Sequence, residues 1–144
     1  MADLPPLYLA APIAAPTLAE QLANCSRAGM VAAHLRRLGH EVICVHEQAA
    51  LDLMRDGPET PEVRAVALVR CLALVRRTIA AGGCVAVLMR DDCTFSAGVA
   101  LEREQARQAW VELAAPGSPR GRGWEHNRMT WQGWTATPGF FAAR

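Results

Sequence analysis

A chain of 144 residues, 51% hydrophobic and 20% charged, carries enough apolar material for one core and too little for two ordinary domains, so a single domain over residues 1–144 is expected. All fifteen basic residues are arginine, which removes Schiff-base chemistry and every other mechanism that needs a lysine. A net charge of +1 leaves no general field for nucleic acid, which is not expected as a partner, although Arg120, Arg122 and Arg128 make the tail locally basic.

No apolar stretch approaches the roughly 20 residues of a membrane span, and no secretory leader pattern opens the chain. Cys25, Cys44, Cys71, Cys84 and Cys93 are odd in number, far apart and without C-x-x-C or zinc-type spacing. Reduced thiols, a cytoplasmic setting, and neither membrane, metal nor cofactor are the expectation.

The first element is the apolar run Leu7 to Pro12, read as a buried strand feeding a loop. From Thr17 to Leu38, the residues Leu18, Leu22, Cys25, Gly29, Val31, Ala32 and Leu35 recur at helical steps, and Gly39 stops the helix. Glu41 to His46 predicts a second strand. The charged stretch Asp52 to Pro61 reads as a loop or short helix over the site. Glu62 to Ala81 predicts a helix with Val66, Val69, Leu72, Ala73 and Ile79 near its inner face, closed by Gly82 and Gly83. Cys84 to Met89 predicts a strand buried on both sides, Arg90 to Phe95 a polar loop, and Gly98 to Leu113 a helix ended at 114–117. Beyond about residue 117 the chain turns irregular and rich in Trp, Gly and Arg, with an alternating edge strand possible over 129–135.

Alternating strands and helices predict an α/β fold: a flavodoxin-like or Rossmann-like three-layer sandwich around a small parallel sheet. Ligands in such folds sit beyond the carboxyl ends of the strands, where residues 11–16, 46–56 and 90–96 converge. Ser96, Gly98 and Glu102 fall at the loop-to-helix junction after the third strand. Backbone N–H groups there can hold an anion, Ser96 adds a hydroxyl, and Glu102 is placed to face a substrate. The same spacing equally describes an ordinary serine cap and a first-turn glutamate.

Several stretches in order resemble the nucleoside 2-deoxyribosyltransferase family, including its 2′-deoxynucleoside 5′-phosphate N-hydrolase branch. Leu7-Tyr8-Leu9-Ala10-Ala11-Pro12 is similar to its opening strand, Leu35 to Val42 to its first helix end, and Gly98, Glu102 and Ala106 to its G-x-x-x-E-x-x-x-A segment. The resemblance spans roughly residues 7 to 110. It implies that Glu102 attacks the anomeric carbon of a nucleoside to form a glycosyl-enzyme, and that Tyr8 hydrogen-bonds the nucleophile. It implies substrate contacts from Pro12, Ser96 and Gly98; Asp91 or Asp92, in the loop before Ser96, is the expected substitute acid or ligand by position and not by the resemblance. Serine at position 96 tilts the implied substrate toward a nucleoside 5′-monophosphate. His126 to Trp131 is similar to a family segment whose asparagine reaches a neighbouring subunit, which implies Asn127 as a site residue in trans and a homodimer or larger assembly.

The chain also departs from that pattern. Where active members carry an aspartate in Asp-Leu-x-x-Leu, this chain has Arg70-Cys71-Leu72-Ala73-Leu74. Ala11 replaces a usual glycine, and Ala14-Ala15-Pro16 lacks the arginine or serine of phosphate-using members. Two readings therefore stand: an enzyme acting through Glu102, and a non-catalytic nucleotide-binding or interaction module. A flavin-binding redox domain is disfavoured, because no Ser/Thr/Gly-rich phosphate loop follows the first strand. For His46-Glu47 and for Arg36-Arg37, solvated surface positions are expected; Trp124, Trp131 and Trp134 are expected to cover a core edge or an interface.

Overall fold

The computed structural model describes residues 4–113 and 123–142. Along them run β1 (Leu7–Ala10), α1 (Leu18–Arg37), β2 (Val42–Ile43), α2 (His46–Asp56), α3 (Pro61–Ala80), β3 (Cys84–Met89), α4 (Ala97–Leu113), β4 (Glu125–Thr130) and α5 (Trp131–Thr135). The expected helix stop at 114–117 and the arginines at 120 and 122 lie outside the described residues.

Four strands form one parallel sheet in the order β2-β1-β3-β4. The order explains the composition of β1 and β3: both are central, and β1 is buried at every position. Alternate side chains then serve opposite layers. Leu7, Leu9, Ala86 and Leu88 pack with Ala28, Val31, Leu35, Trp134 and Phe140 on the α1/α5 side. Tyr8, Ala10, Val85 and Val87 pack with Cys71, Val75, Val99, Ala106 and Ala109 on the α3/α4 side. The expected α/β three-layer sandwich is what the described residues form. Full burial of a Leu or Val in these layers contributes roughly 1.5–3 kcal/mol.

Local chemistry sets the element ends. The hydroxyls of Thr17 and Thr60 accept from the backbone N–H groups of Glu20 and Val63 and cap α1 and α3. Before β3 the chain passes so close to its neighbours that a Cβ on Gly83 would lie 2.4 Å from the Pro6 carbonyl oxygen. Only glycine fits there.

The structure corrects four expectations. The second strand is confined to Val42–Ile43; from His46 the chain is already helical, because Glu47 to Met54 supplies good helix formers and the His46 side chain turns inward. The stretch from Asp52 onward is accordingly the end of α2, and only residues 57–60 connect it to α3. On α3 the inner face is Cys71, Val75, Thr78 and Ile79, while Val66 and Val69 are exposed. That helix is apolar on two sides, so its periodicity does not choose between them. Finally, the edge strand is Glu125–Thr130, and residues 131–135 are a helix capped by the Thr130 hydroxyl, which accepts from Gly133 N–H.

Candidate functional site

Tyr8 is the second residue of β1 and points into the α3/α4 layer, where it is fully buried. Glu102 lies in the second turn of α4 on its inward face, together with Val99, Ala106 and Ala109, and is 4% exposed. The Tyr8 hydroxyl donates a hydrogen bond to Glu102 Oε2. A carboxylate with so little water is held up in pKa by burial, while the Tyr8 hydrogen bond and the charge of Arg64 pull it down; the balance stands at about 7. The Tyr8 hydroxyl is pushed far above its ordinary range by burial first, then by Glu102 and Cys71. It remains a donor at every accessible pH.

Two further residues surround this pair. Cys71, on the inner face of α3, is buried against Tyr8. Arg64 lies seven residues earlier on the same face, with Nη2 4.0 Å from Cys71 Sγ and Nη1 3.8 Å from Glu59 Oε2. A cavity of about 410 Å³ between α2 and α3 is lined by Leu53, Glu59, Arg64, Cys71 and Leu74 among others. Apolar side chains share its walls with Asp52, Asp56, Glu59 and Arg70, and the Arg64 guanidinium and Cys71 thiol also line it. Glu102 itself does not line this cavity.

The remaining expected site residues are dispersed. Ser96 is buried, and its Oγ accepts from Val99 N–H at 3.2 Å, so the hydroxyl is engaged as the cap of α4. Gly98 is the second residue of that helix. Pro12 lines a separate cleft beyond β1 and β3. Asp92 is exposed and bent back on its own loop, accepting from Thr94 N–H at 3.0 Å and Thr94 Oγ1 at 2.5 Å. This holds its pKa below the usual carboxylate value. Asn127 is exposed on β4, its Oδ1 accepting from Arg128 N–H. Among the described residues no cluster of His, Cys, Asp and Glu could hold a metal ion, and no helix is long and apolar enough to cross a membrane.

His46 differs most from its expected surface position. It is 2% exposed, and a ring Nε2 bonded to the Ala11 carbonyl at 2.8 Å must carry the proton. Nδ1 is thereby left a buried acceptor with no partner among the described residues. Burial lowers the pKa of this ring to about 4. Arg36 and Arg37 also do more than face solvent: Arg36 pairs with Glu47 at 2.7 Å, and Arg37 donates to the Phe140 carbonyl. The tryptophans cover core edges as expected. Trp134 is buried with Nε1–H on the Val87 carbonyl, and Trp124 faces the Arg103 guanidinium, which also stacks 4.0 Å from the Phe95 ring and pairs with Glu125.

Comparison of the chain with protein-family models, curated proteins and solved structures gives no match.

Proposed function

We propose that this chain is an N-glycosidase or (deoxy)ribosyltransferase acting on a nucleoside or nucleoside 5′-monophosphate, with Glu102 as nucleophile. The buried Tyr8–Glu102 pair carries the reading. A desolvated carboxylate, oriented by one phenol and titrating near neutrality, suits covalent catalysis at a sugar. The resemblance of residues 7 to 110 to the nucleoside 2-deoxyribosyltransferase family assigns the same two side chains to that task.

In the first step a Glu102 carboxylate oxygen bonds to the anomeric carbon as the C–N bond to the base breaks, the electron pair leaving with the base. In the second, water or another base attacks that carbon and displaces the carboxylate. Tyr8 holds Glu102 in one orientation throughout. Arg64 favours its ionised form. The cavity between α2 and α3 offers apolar walls to a base and the Arg64 donor to its polar edge. Since Cys71 stands where the family resemblance puts a carboxylate, the leaving base takes its proton from solvent, and readily departing bases are the better substrates.

One observation favours a second reading, a non-catalytic nucleotide-binding module: Glu102 is 4% exposed. Incubation with a panel of nucleosides and monophosphates, followed by chromatography of the released base, separates the two. Release that disappears in Glu102→Ala supports the enzyme; thermal stabilisation by a ligand without any release supports the module.

A further inference from the structure

We propose that the cleft beyond the carboxyl ends of β1 and β3 binds a phosphate monoester, gripped by Arg27 and Arg90 beside the Trp131 ring. The strand order puts β2 on one side of β1 and β3 on the other, so successive connections diverge at the β1/β3 boundary. A crevice opens at such a switch point, and it is where open α/β sheets take ligands. In this chain the crevice is a cavity of about 170 Å³ lined by Pro12, Asn24, Arg27, Arg90, Asp91 and Trp131, with Leu88 and Met89 at the end of β3 completing it.

Among the described residues the two arginine charges there form no ion pair within 4.0 Å, although Arg90 lowers the pKa of Asp92 by its charge. Among the described residues, Arg36, Arg55, Arg64, Arg76, Arg103, Arg107 and Arg128 each have a carboxylate within 4.0 Å, and Arg37 donates to a carbonyl. Arg27, Arg70, Arg77 and Arg90 form no such ion pair, and two of these four line this one cleft. Arg27 comes from the middle of α1 and Arg90 from the residue after β3, so the fold converges them from 63 positions apart. Planar guanidinium forks suit phosphate oxygens, which accept two parallel N–H bonds from each.

The surroundings favour one orientation. Arg27 lies 6.0 Å from the Trp131 ring centroid, and that ring stands edge-on to Phe140 at 5.8 Å. Asn24 is held by its Nδ2–H on the Ile13 carbonyl, which fixes the loop after β1. The single acidic lining group is Asp91, while the Asp92 carboxylate is turned onto Thr94. A phosphate between the arginines leaves Trp131 to face an aromatic substituent. Trp131 packs on the α1/α5 layer, opposite the layer that buries Tyr8 and Val99, so the site lies on the other face of the sheet from Glu102, although Pro12 and Asp91, expected contacts of the Glu102 substrate, also line it.

Phenyl phosphate is the probe, since it has a phosphate monoester and a ring but no glycosidic bond. Calorimetric titration of the full chain should give saturable one-to-one binding that phenol does not reproduce and that weakens as salt rises. Arg27→Gln and Arg90→Gln, both at exposed positions, should each weaken binding about tenfold or more, the loss expected for a charged hydrogen-bonding partner. Asp91→Asn should tighten it. Arg77→Gln, an exposed arginine outside the cleft, and Glu102→Gln should leave it unchanged, which separates this result from the fate of the nucleophile. Absence of saturable binding, or wild-type affinity in either Arg27→Gln or Arg90→Gln, overturns the site. So does an equal loss in Arg77→Gln, which would mean attraction by net charge alone.

Discussion

The hydroxyl of Tyr8, on the central strand, donates to the carboxylate of Glu102, on the helix that follows β3, although 94 residues separate them in sequence. Their meeting depends on α4 folding back over β1 within the α3/α4 layer. The pair controls the protonation of the candidate nucleophile. Removing the hydroxyl in Tyr8→Phe removes a contact that lowers the Glu102 pKa, so that pKa rises above about 7. Base release by the wild type should increase with pH through about 7, as the carboxylate ionises. In Tyr8→Phe the rising limb should move to higher pH, with a lower plateau. An unshifted limb would mean that the phenol does not tune the group that titrates.

Stability should carry the same signature with the opposite sign. The folded pKa of Glu102 is raised, so between its ordinary value of 4.5 and about 7 the folded state binds more protons than the unfolded one. Stability from this group is greatest below pH 4.5 and falls as pH rises toward 7. Glu102→Gln is neutral at every pH and still accepts from Tyr8. Its stability relative to the wild type should therefore climb across that window, by up to about 3 kcal/mol, and then level off. Denaturant melts at pH 4.5, 6 and 8 measure it.

His46 works against this slope. Its folded pKa is lowered from 6.5 to about 4, so the stability of its buried neutral ring is complete above pH 6.5 and is lost as pH falls toward 4. In the wild type the two residues offset one another between pH 4.5 and 6.5. Glu102→Gln should unmask the histidine and become steeply acid-sensitive there. Adding a His46→Gln substitution should flatten the profile again, provided that the double variant folds, as circular dichroism would establish.

Much of the fold is legible because strong local signals agree. Leu7 to Ala10 and Cys84 to Met89 are short apolar runs with glycine or proline at their borders, and the Ser96–Val99 cap marks the start of α4. From that cap, helical spacing brings Glu102 onto the face of Val99 and Ala106. Other features depend on tertiary context. Nothing local in Cys44-Val45-His46 distinguishes a strand from a helix whose histidine turns inward to the Ala11 carbonyl. The apolar residues of α3 lie on both of its sides, which hides the fact that Cys71 faces Tyr8 while Val69 faces out. Arg64 is visible only in retrospect, as the residue two turns before Cys71 on one helix face. Arg27 and Arg90 become neighbours only through the strand order.

Thiol reactivity tests the burial pattern. All five cysteines are free, and only Cys93 is exposed. It also sits in a left-handed backbone conformation, with φ of 66°, in the loop before α4. The native protein should react rapidly with one equivalent of a charged thiol reagent, and Cys93→Ser should abolish that phase. Fast modification of Cys71 would contradict its burial at the inner end of the cavity.

The Cys71 position offers a gain-of-function test. Cys71→Asp puts a carboxylate within reach of Arg64, whose Nη2 is 4.0 Å from the present sulfur. An acid that can protonate the departing base should raise the release rate by about 10²–10⁴-fold, most for bases that leave poorly. Arg64→Gln in the same background removes the charge that holds the new carboxyl ionised and should enlarge the gain at neutral pH. Comparing rates across bases of graded leaving ability in both variants measures this directly.

The covalent intermediate is the most direct test of Glu102 as nucleophile. A 2′-deoxy-2′-fluoro nucleoside slows both displacements, because fluorine destabilises the cation-like transition states, and a departing base that leaves easily lets the first outrun the second. Intact-protein mass spectrometry after incubation should show the chain heavier by one fluorosugar, with fragmentation placing the adduct on Glu102 and no adduct in Glu102→Ala. Base release from the unmodified nucleoside with no adduct on Glu102, or with an adduct on another residue, would contradict the assignment.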